Sequence, residues 1–124
     1  MKILKTLTSA AMVSAIALMA VPVNAADTRI ALVVKSLGNG FFDAAAKGAE
    51  QAAAELGGIE IIYTGPTSAT AEGQIEIINA LIAQQVDAIA ISANDPDALV
   101  PALKKAMDRG IAVISWDSGV AAEG

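Results

Sequence analysis

The chain has 124 residues, with no cysteine and no histidine, and 13 acidic against 8 basic residues give it a formal net charge of −5. That length allows one domain or part of one. Without His or Cys the usual nucleophile–base pairs and zinc sites have no parts, and the scattered basic residues, of which only Lys104 and Lys105 are adjacent, do not make the clustered positive face that nucleic acid requires.

In chain order, residues 1–25 differ in composition from the remainder of the chain. Lys2 and Lys5 give a basic start, residues 7–21 are apolar apart from Thr8, Ser9 and Ser14, Pro22 ends the run, and Val23-Asn24-Ala25 presents small residues to a signal peptidase. This is the pattern of a cleaved secretory signal peptide, and the run is too short to span a bilayer. No cysteine lies after the cleavage site, so the mature product, residues 26–124, is expected to carry no lipid anchor and to reside in the periplasm of a Gram-negative cell. It retains 6 basic against 13 acidic residues, a net charge of −7, and rests on its core alone, without disulfides.

Residues 28–34 carry the unbroken apolar run Ile30-Ala31-Leu32-Val33-Val34, which predicts a strand covered on both faces. After a glycine-rich turn over residues 36–40, Phe42, Ala45, Ala46, Ala49, Ala52, Ala53 and Leu56 recur at helical spacing until Gly57-Gly58 stops them. Residues 59–63 predict a second strand. A second helix is expected from about Ala69 to Gln85, on a face of Ile75, Ile78, Leu81 and Ile82. Residues 87–92 predict a third strand, and Asn94-Asp95-Pro96-Asp97 a turn and helix start. A third helix holds Leu99, Leu103, Ala106 and Met107, with Pro101 in its first turn, and ends at Gly110. Residues 111–116 predict the fourth strand, and residues 117–124 a loop.

Four strands alternating with three helices predict an α/β fold with a doubly wound parallel sheet and right-handed crossovers. Ligands of such sheets sit at the carboxyl ends of the strands, near the topological switch point. That edge comprises residues 35–42, 64–68, 93–97 and 117–119. Lys35 and Asp117 each end an apolar strand with a charge, so they are expected to face the cleft mouth, where Lys donates and Asp accepts hydrogen bonds suited to sugar hydroxyls. A lysine reaching solvent and an aspartate satisfying loop N–H groups are the competing readings. The four aromatic residues, Phe41, Phe42, Tyr63 and Trp116, all fall at or beside this edge. Tyr63 and Trp116 are expected to pack beneath the helices. Of Phe41 and Phe42, at least one is expected to touch ligand and the other, Phe42, to anchor the helix. Asn94 is a candidate contact that, with Asp95, also suits a helix entry.

Enzyme readings fail on composition and spacing. Gly38-Asn39-Gly40 could open a dinucleotide fingerprint, but Asp43 occupies the third glycine position and Tyr63-Thr64 offers no acid to a ribose. There is no Gly-x-Ser-x-Gly elbow. No metal or cofactor is implied.

Taken together, the stretches Val34-Lys35-Ser36-Leu37-Gly38-Asn39-Gly40-Phe41-Phe42, Tyr63-Thr64-Gly65-Pro66-Thr67, residues 69–74, Ser92-Ala93-Asn94-Asp95-Pro96-Asp97-Ala98-Leu99 and Ser115-Trp116-Asp117-Ser118 resemble the type I periplasmic sugar-binding proteins of bacterial ABC importers. The resemblance is nearest to the subgroup of rhamnose-binding proteins and autoinducer-2 receptors. It implies a two-lobed fold of which residues 26–124 form an incomplete first lobe, and ligand contacts from Lys35, Phe41, Phe42 and Asp117. The Lys-Ser-Leu-Gly-Asn-Gly-Phe-Phe form looks more like the rhamnose binders, so L-rhamnose or a related deoxy-sugar is expected first and autoinducer-2 second. The implied partners are a membrane permease and its ATPase, and the expected state is a monomer. A receptor feeding a sensor shares these features, whereas the related lactose-repressor architecture lacks the leader. A lone first lobe is expected to bind weakly or not at all, because half a cleft cannot desolvate a polar sugar.

Overall fold

A computed structural model describes residues 26–121; the signal peptide expected over residues 1–25 lies outside the described residues. The elements run in the alternating order β1 (Thr28–Val33), α1 (Gly40–Leu56), β2 (Ile59–Thr64), α2 (Ala71–Ala83), β3 (Ala88–Ile91), α3 (Val100–Asp108) and β4 (Ala112–Ser115). Helix α1 begins two residues before Phe42 because Asn39, in an extended conformation, caps it and accepts the Phe41 N–H through its side chain. Helix α2 likewise starts after Thr70, whose hydroxyl accepts the Gly73 N–H at 3.2 Å. It stops at Ala83, short of the expected Gln85, because Gln85 takes φ 54° and its N–H turns back to the Ile82 carbonyl. Pro101 sits in the first turn of α3, where the missing N–H has no intrahelical partner to lose.

All four strands are parallel, in the order β2-β1-β3-β4. The alternation of side chains along each strand sorts the core into two layers. On one face Ala31, Val33, Ile89 and Ile91 meet Ile78, Leu81 and Ile82 of α2 and Leu99, Ala102, Leu103 and Ala106 from the α3 segment. On the other, Leu32 and Val34 meet Phe42 and Ala46 of α1. Burial of each large aliphatic side chain contributes about 1.5–3 kcal/mol.

The two faces are not equally covered. One carries α2 and α3, the other α1 alone, and among the described residues nothing covers the α1 face of β4. Ile114 there is 63% exposed and Leu56 at the end of α1 is 76% exposed. Among the described residues the fourth strand is therefore half-open: Ala112, Ile114 and Ser115 are all exposed.

The order β2-β1-β3 puts the topological switch point between β1 and β3, since the chain leaves β1 to one side and returns on the other. Close approach at this edge depends on Gly65, where a Cβ would lie 2.7 Å from Val34 Cγ2 and 3.0 Å from the Val34 carbonyl oxygen. Gly65→Ala is expected to destabilise the fold by about 1–3 kcal/mol through overpacking, read as a lower urea midpoint at unchanged slope.

Candidate functional site

At the carboxyl edge the ladder between β1 and β3 ends with the Ser92 N–H donating to the Val33 carbonyl at 3.0 Å. Beyond it the backbones diverge, and the Gln74 side chain from the first turns of α2 enters the gap. Its Nε2 donates to the Val34 carbonyl at 3.0 Å and to the Ser92 carbonyl at 2.8 Å, and its Oε1 accepts the Asn94 N–H at 2.8 Å. Gln74 is 0% exposed and uses both donors and its acceptor on main chain. Asn94 extends the lattice, with its Nδ2 donating to the Lys35 carbonyl at 2.9 Å and to the Thr70 carbonyl at 3.2 Å.

Lys35 leaves β1 at this point and Asp117 lies just past β4. The structure brings them together, with Lys35 Nζ 3.9 Å from Asp117 Oδ2 and each side chain about one-third exposed, at 33% and 32%. A pair so long and so accessible is worth about 0–1 kcal/mol, which leaves both charges available to a third group. Asp117 Oδ2 also accepts from the buried Ser92 hydroxyl at 2.7 Å. The Asp117 backbone is at φ 58°, a conformation that Asp tolerates better than most side chains. The Ser118 N–H donates to the Trp116 carbonyl at 2.6 Å, closing a tight three-residue turn that directs the Asp117 carboxylate back over β3. The Ala93 N–H donates to the Ser118 carbonyl at 3.0 Å and fastens that turn to the end of β3.

Beside the charged pair stands an aromatic cluster. Phe42 is 4% exposed and packs edge-on to Trp116, with ring centroids 5.9 Å apart at 88°. It is the anchor of α1, in the core rather than on the cleft surface. Phe41 is 59% exposed and stacks on Trp116 at 6.4 Å and 18°. Trp116 packs against the α1-side core as expected, yet its ring also forms part of this stack, and its Nε1 is the one buried side-chain N or O atom without a hydrogen-bond partner among the described residues. Tyr63 lies farther along the edge, its hydroxyl donating to Asp43 Oδ1 at 2.8 Å. Asp95 accepts the N–H groups of Asp97 and Ala98 at 2.9 and 2.8 Å. Those two donors hold its carboxyl below the usual range and give it the role of a turn cap ahead of α3.

Lys35, Asp117 and Phe41 thus share the switch-point mouth, with Asn94 behind them on the backbone. Sequence reasoning missed Gln74, Ser92 and the stacking role of Trp116. The available signal for Gln74 was its place four residues before Ile78, on the buried stripe of α2. Among the described residues no cluster of three or more His, Cys, Asp or Glu could hold a metal ion, and no helix is long and apolar enough to cross a membrane.

A family profile for a periplasmic binding protein domain matches residues 30–124. The chain belongs to the periplasmic binding protein family. It is 41% identical over 92 residues to a D-ribose/D-allose-binding protein of Pseudomonas aeruginosa, a match covering 73% of this chain and 29% of that protein. Among solved structures it is similar to an ABC transporter solute binding protein of Clostridium phytofermentas with bound L-rhamnose, at 46% identity and TM-score 0.70, covering 75% of this chain and 29% of that one. It is also similar to LsrB of Clostridium saccharobutylicum in complex with AI-2, at 35% identity and TM-score 0.73, covering 75% of this chain and 28% of that one. The chain therefore spans under a third of the length of these relatives. Its four parallel strands and three helices are the first lobe of a type I periplasmic binding protein. These relatives are solute-binding proteins, not enzymes.

Within this periplasmic binding protein lobe the Tyr63–Asp43 contact gives a direct test of the geometry. Burial, then the hydrogen bond to Asp43, then the charge of that carboxylate push the Tyr63 phenol up from 10.0 to about 12. The raised value means that folding favours the neutral phenol. Its stabilisation is complete below pH 10.0 and is lost as pH rises through about 12. Because Tyr63 is the only tyrosine, absorbance at the phenolate wavelength is expected to show one midpoint near 12 in the wild type, and Asp43→Asn is expected to move it part of the way back.

Proposed function

We propose that this chain forms one wall of the ligand site of a periplasmic ABC-importer binding protein that captures a sugar. L-rhamnose or a related deoxy-sugar is the first choice of ligand. The observation that carries the reading is the convergence of Lys35 and Asp117 at the β1/β3 switch point, 3.9 Å apart and both partly open, beside the exposed ring of Phe41. A sugar presents hydroxyls that both donate and accept. The Lys35 ammonium supplies up to three donors and the Asp117 carboxylate supplies acceptors, so one hydroxyl can bridge the pair and a neighbouring hydroxyl can take what remains. Phe41 offers an aromatic face to the apolar C–H side of the ring. Asn94 acts on the same site from behind, since both its amide protons already bond main-chain carbonyls, and Phe42 acts by holding α1 in place.

The L-rhamnose choice is supported by the 46% identity to the L-rhamnose-bound relative, against 35% to the AI-2-bound one. AI-2 is kept as the second reading on the structural similarity to LsrB, whose TM-score is 0.73. In the proposed setting residues 1–25 direct export to the periplasm and are removed, the mature protein is a monomer, and a membrane permease and its ATPase receive the ligand.

The test is calorimetric titration of the mature chain, and of any longer reading frame that contains it, with L-rhamnose, AI-2, D-ribose and D-allose. L-rhamnose is expected to bind most tightly. Lys35→Ala and Asp117→Ala are each expected to weaken it about 10- to 100-fold, the loss of a hydrogen bond to a charged group. The emission of Trp116, the only tryptophan, is expected to change saturably with the same dissociation constant. Absence of heat for every ligand in the longer protein would overturn the sugar reading, and tighter binding of AI-2 would reverse the order.

A further inference from the structure

Gln74, Asn94 and Ser92 form a lattice that ends at the Lys35 main-chain carbonyl on one side and at the Asp117 carboxylate on the other, and its centre is Gln74. On one side, the carboxamide holds the Val34 carbonyl, one peptide before Lys35, and acts through the Asn94 main chain, whose side chain holds the Lys35 carbonyl itself. On the other side it holds the carbonyl of Ser92, whose hydroxyl holds Asp117 Oδ2. Gln74 and Ser92 are both 0% exposed, so no water competes for these bonds. The lattice lies where β1 and β3 no longer hold each other: past the Ser92 N–H to Val33 carbonyl bond, the carboxamide is what spans the two backbones. A carboxamide is the neutral side-chain group that offers two donors and an acceptor in one plane. The site uses both donors on carbonyls of the two strands and the acceptor on an N–H, so neither a carboxylate nor an apolar isostere can replace it.

We propose that Gln74 is a positioning residue for ligand binding: by fixing the spacing of the β1 and β3 carboxyl ends it sets the relative placement of Lys35 and Asp117, and through that placement the affinity for a sugar. The inference rests on the reading of Lys35 and Asp117 as the ligand-facing pair. A merely structural role would make Gln74 one more buried residue of α2, costing stability on substitution and nothing else. Ile78, on the same helix and equally buried, supplies that comparison.

The experiment uses the full chain with Gln74→Met, which keeps length and removes the three hydrogen bonds, beside Ile78→Val. Backbone amide NMR spectra without ligand come first. Gln74→Met is expected to displace the resonances of Lys35, Ser92, Asn94 and Asp117, whereas Ile78→Val displaces its core neighbours only. Titration with L-rhamnose comes second. Gln74→Met is expected to weaken binding about tenfold, while Ile78→Val, though less heat-stable than wild type, stays within about twofold. In the Asp117→Ala background the Gln74→Met effect is expected to shrink to within about twofold, because a residue acting through the pair has nothing left to position.

Undisturbed Lys35 and Asp117 resonances, undiminished affinity in Gln74→Met, or an equal loss with and without Asp117 would each overturn the inference. If neither the wild-type chain nor a longer reading frame containing it binds sugar, the functional reading fails by itself; the ligand-free spectra decide the positional claim in either case. Should Gln74→Met not fold, Gln74→Asn, which keeps the amide but shortens its reach by one methylene, is read by the same criteria.

Discussion

A parallel sheet whose strands separate at a switch point has to end its ladder somewhere, and at that place main-chain groups lose their partners inside protein. Here the place is the pair of carbonyls at Val34 and Ser92 with the amide of Asn94, and the partner is one buried carboxamide. An unpaired buried group of this kind costs about 1–3 kcal/mol, so three of them left open would consume much of the stability of a small domain. The same bonds that remove this cost also hold the crevice open at a set width. On the proposed reading, stability and the placement of the charged residues on either side are two results of one constraint.

The surrounding polar groups are graded by depth. The buried ones, Gln74 and Ser92, are neutral and fully engaged. The charged ones, Lys35 and Asp117, sit a layer farther out, where solvent lowers the cost of carrying charge and a loose 3.9 Å pairing leaves both able to exchange partners. A short, dry ion pair would be a poor receptor, since a ligand would have to break it. Beside them the aromatic residues divide the work by burial: Phe42 fills core, Phe41 meets solvent, and Trp116 joins the two.

Much of this was legible in the chain itself. The change of period from continuous apolar runs to three- and four-residue steps gives the β-α alternation, and alternation with short loops gives a parallel sheet and its functional edge. Lys35 and Asp117 could be placed at the carboxyl edge because each closely follows an apolar run that predicts a strand. The cap at Asn39 moved the start of α1 by a turn fragment only. Gln74 was harder, because a glutamine in a helix ordinarily reads as a solvated side chain and only its alignment with Ile78 marks it as inward. Ser92 and Trp116 depend on the turn at Asp117, a left-handed residue that no local pattern announces. The openness of β4 was hidden for a related reason: an apolar run records what a strand can bury, not how many helices arrive to bury it.

Among the described residues, the two halves of the mouth rest on unequal supports. Lys35 is attached to β1, an inner strand flanked by β2 and β3 and roofed on both faces. Asp117 follows β4, an edge strand whose α1 side is uncovered among the described residues, with Ile114 63% exposed. Opening fluctuations in a protein start where few apolar contacts and paired backbones must be given up. Among the described residues those contacts are fewer behind Asp117 than behind Lys35.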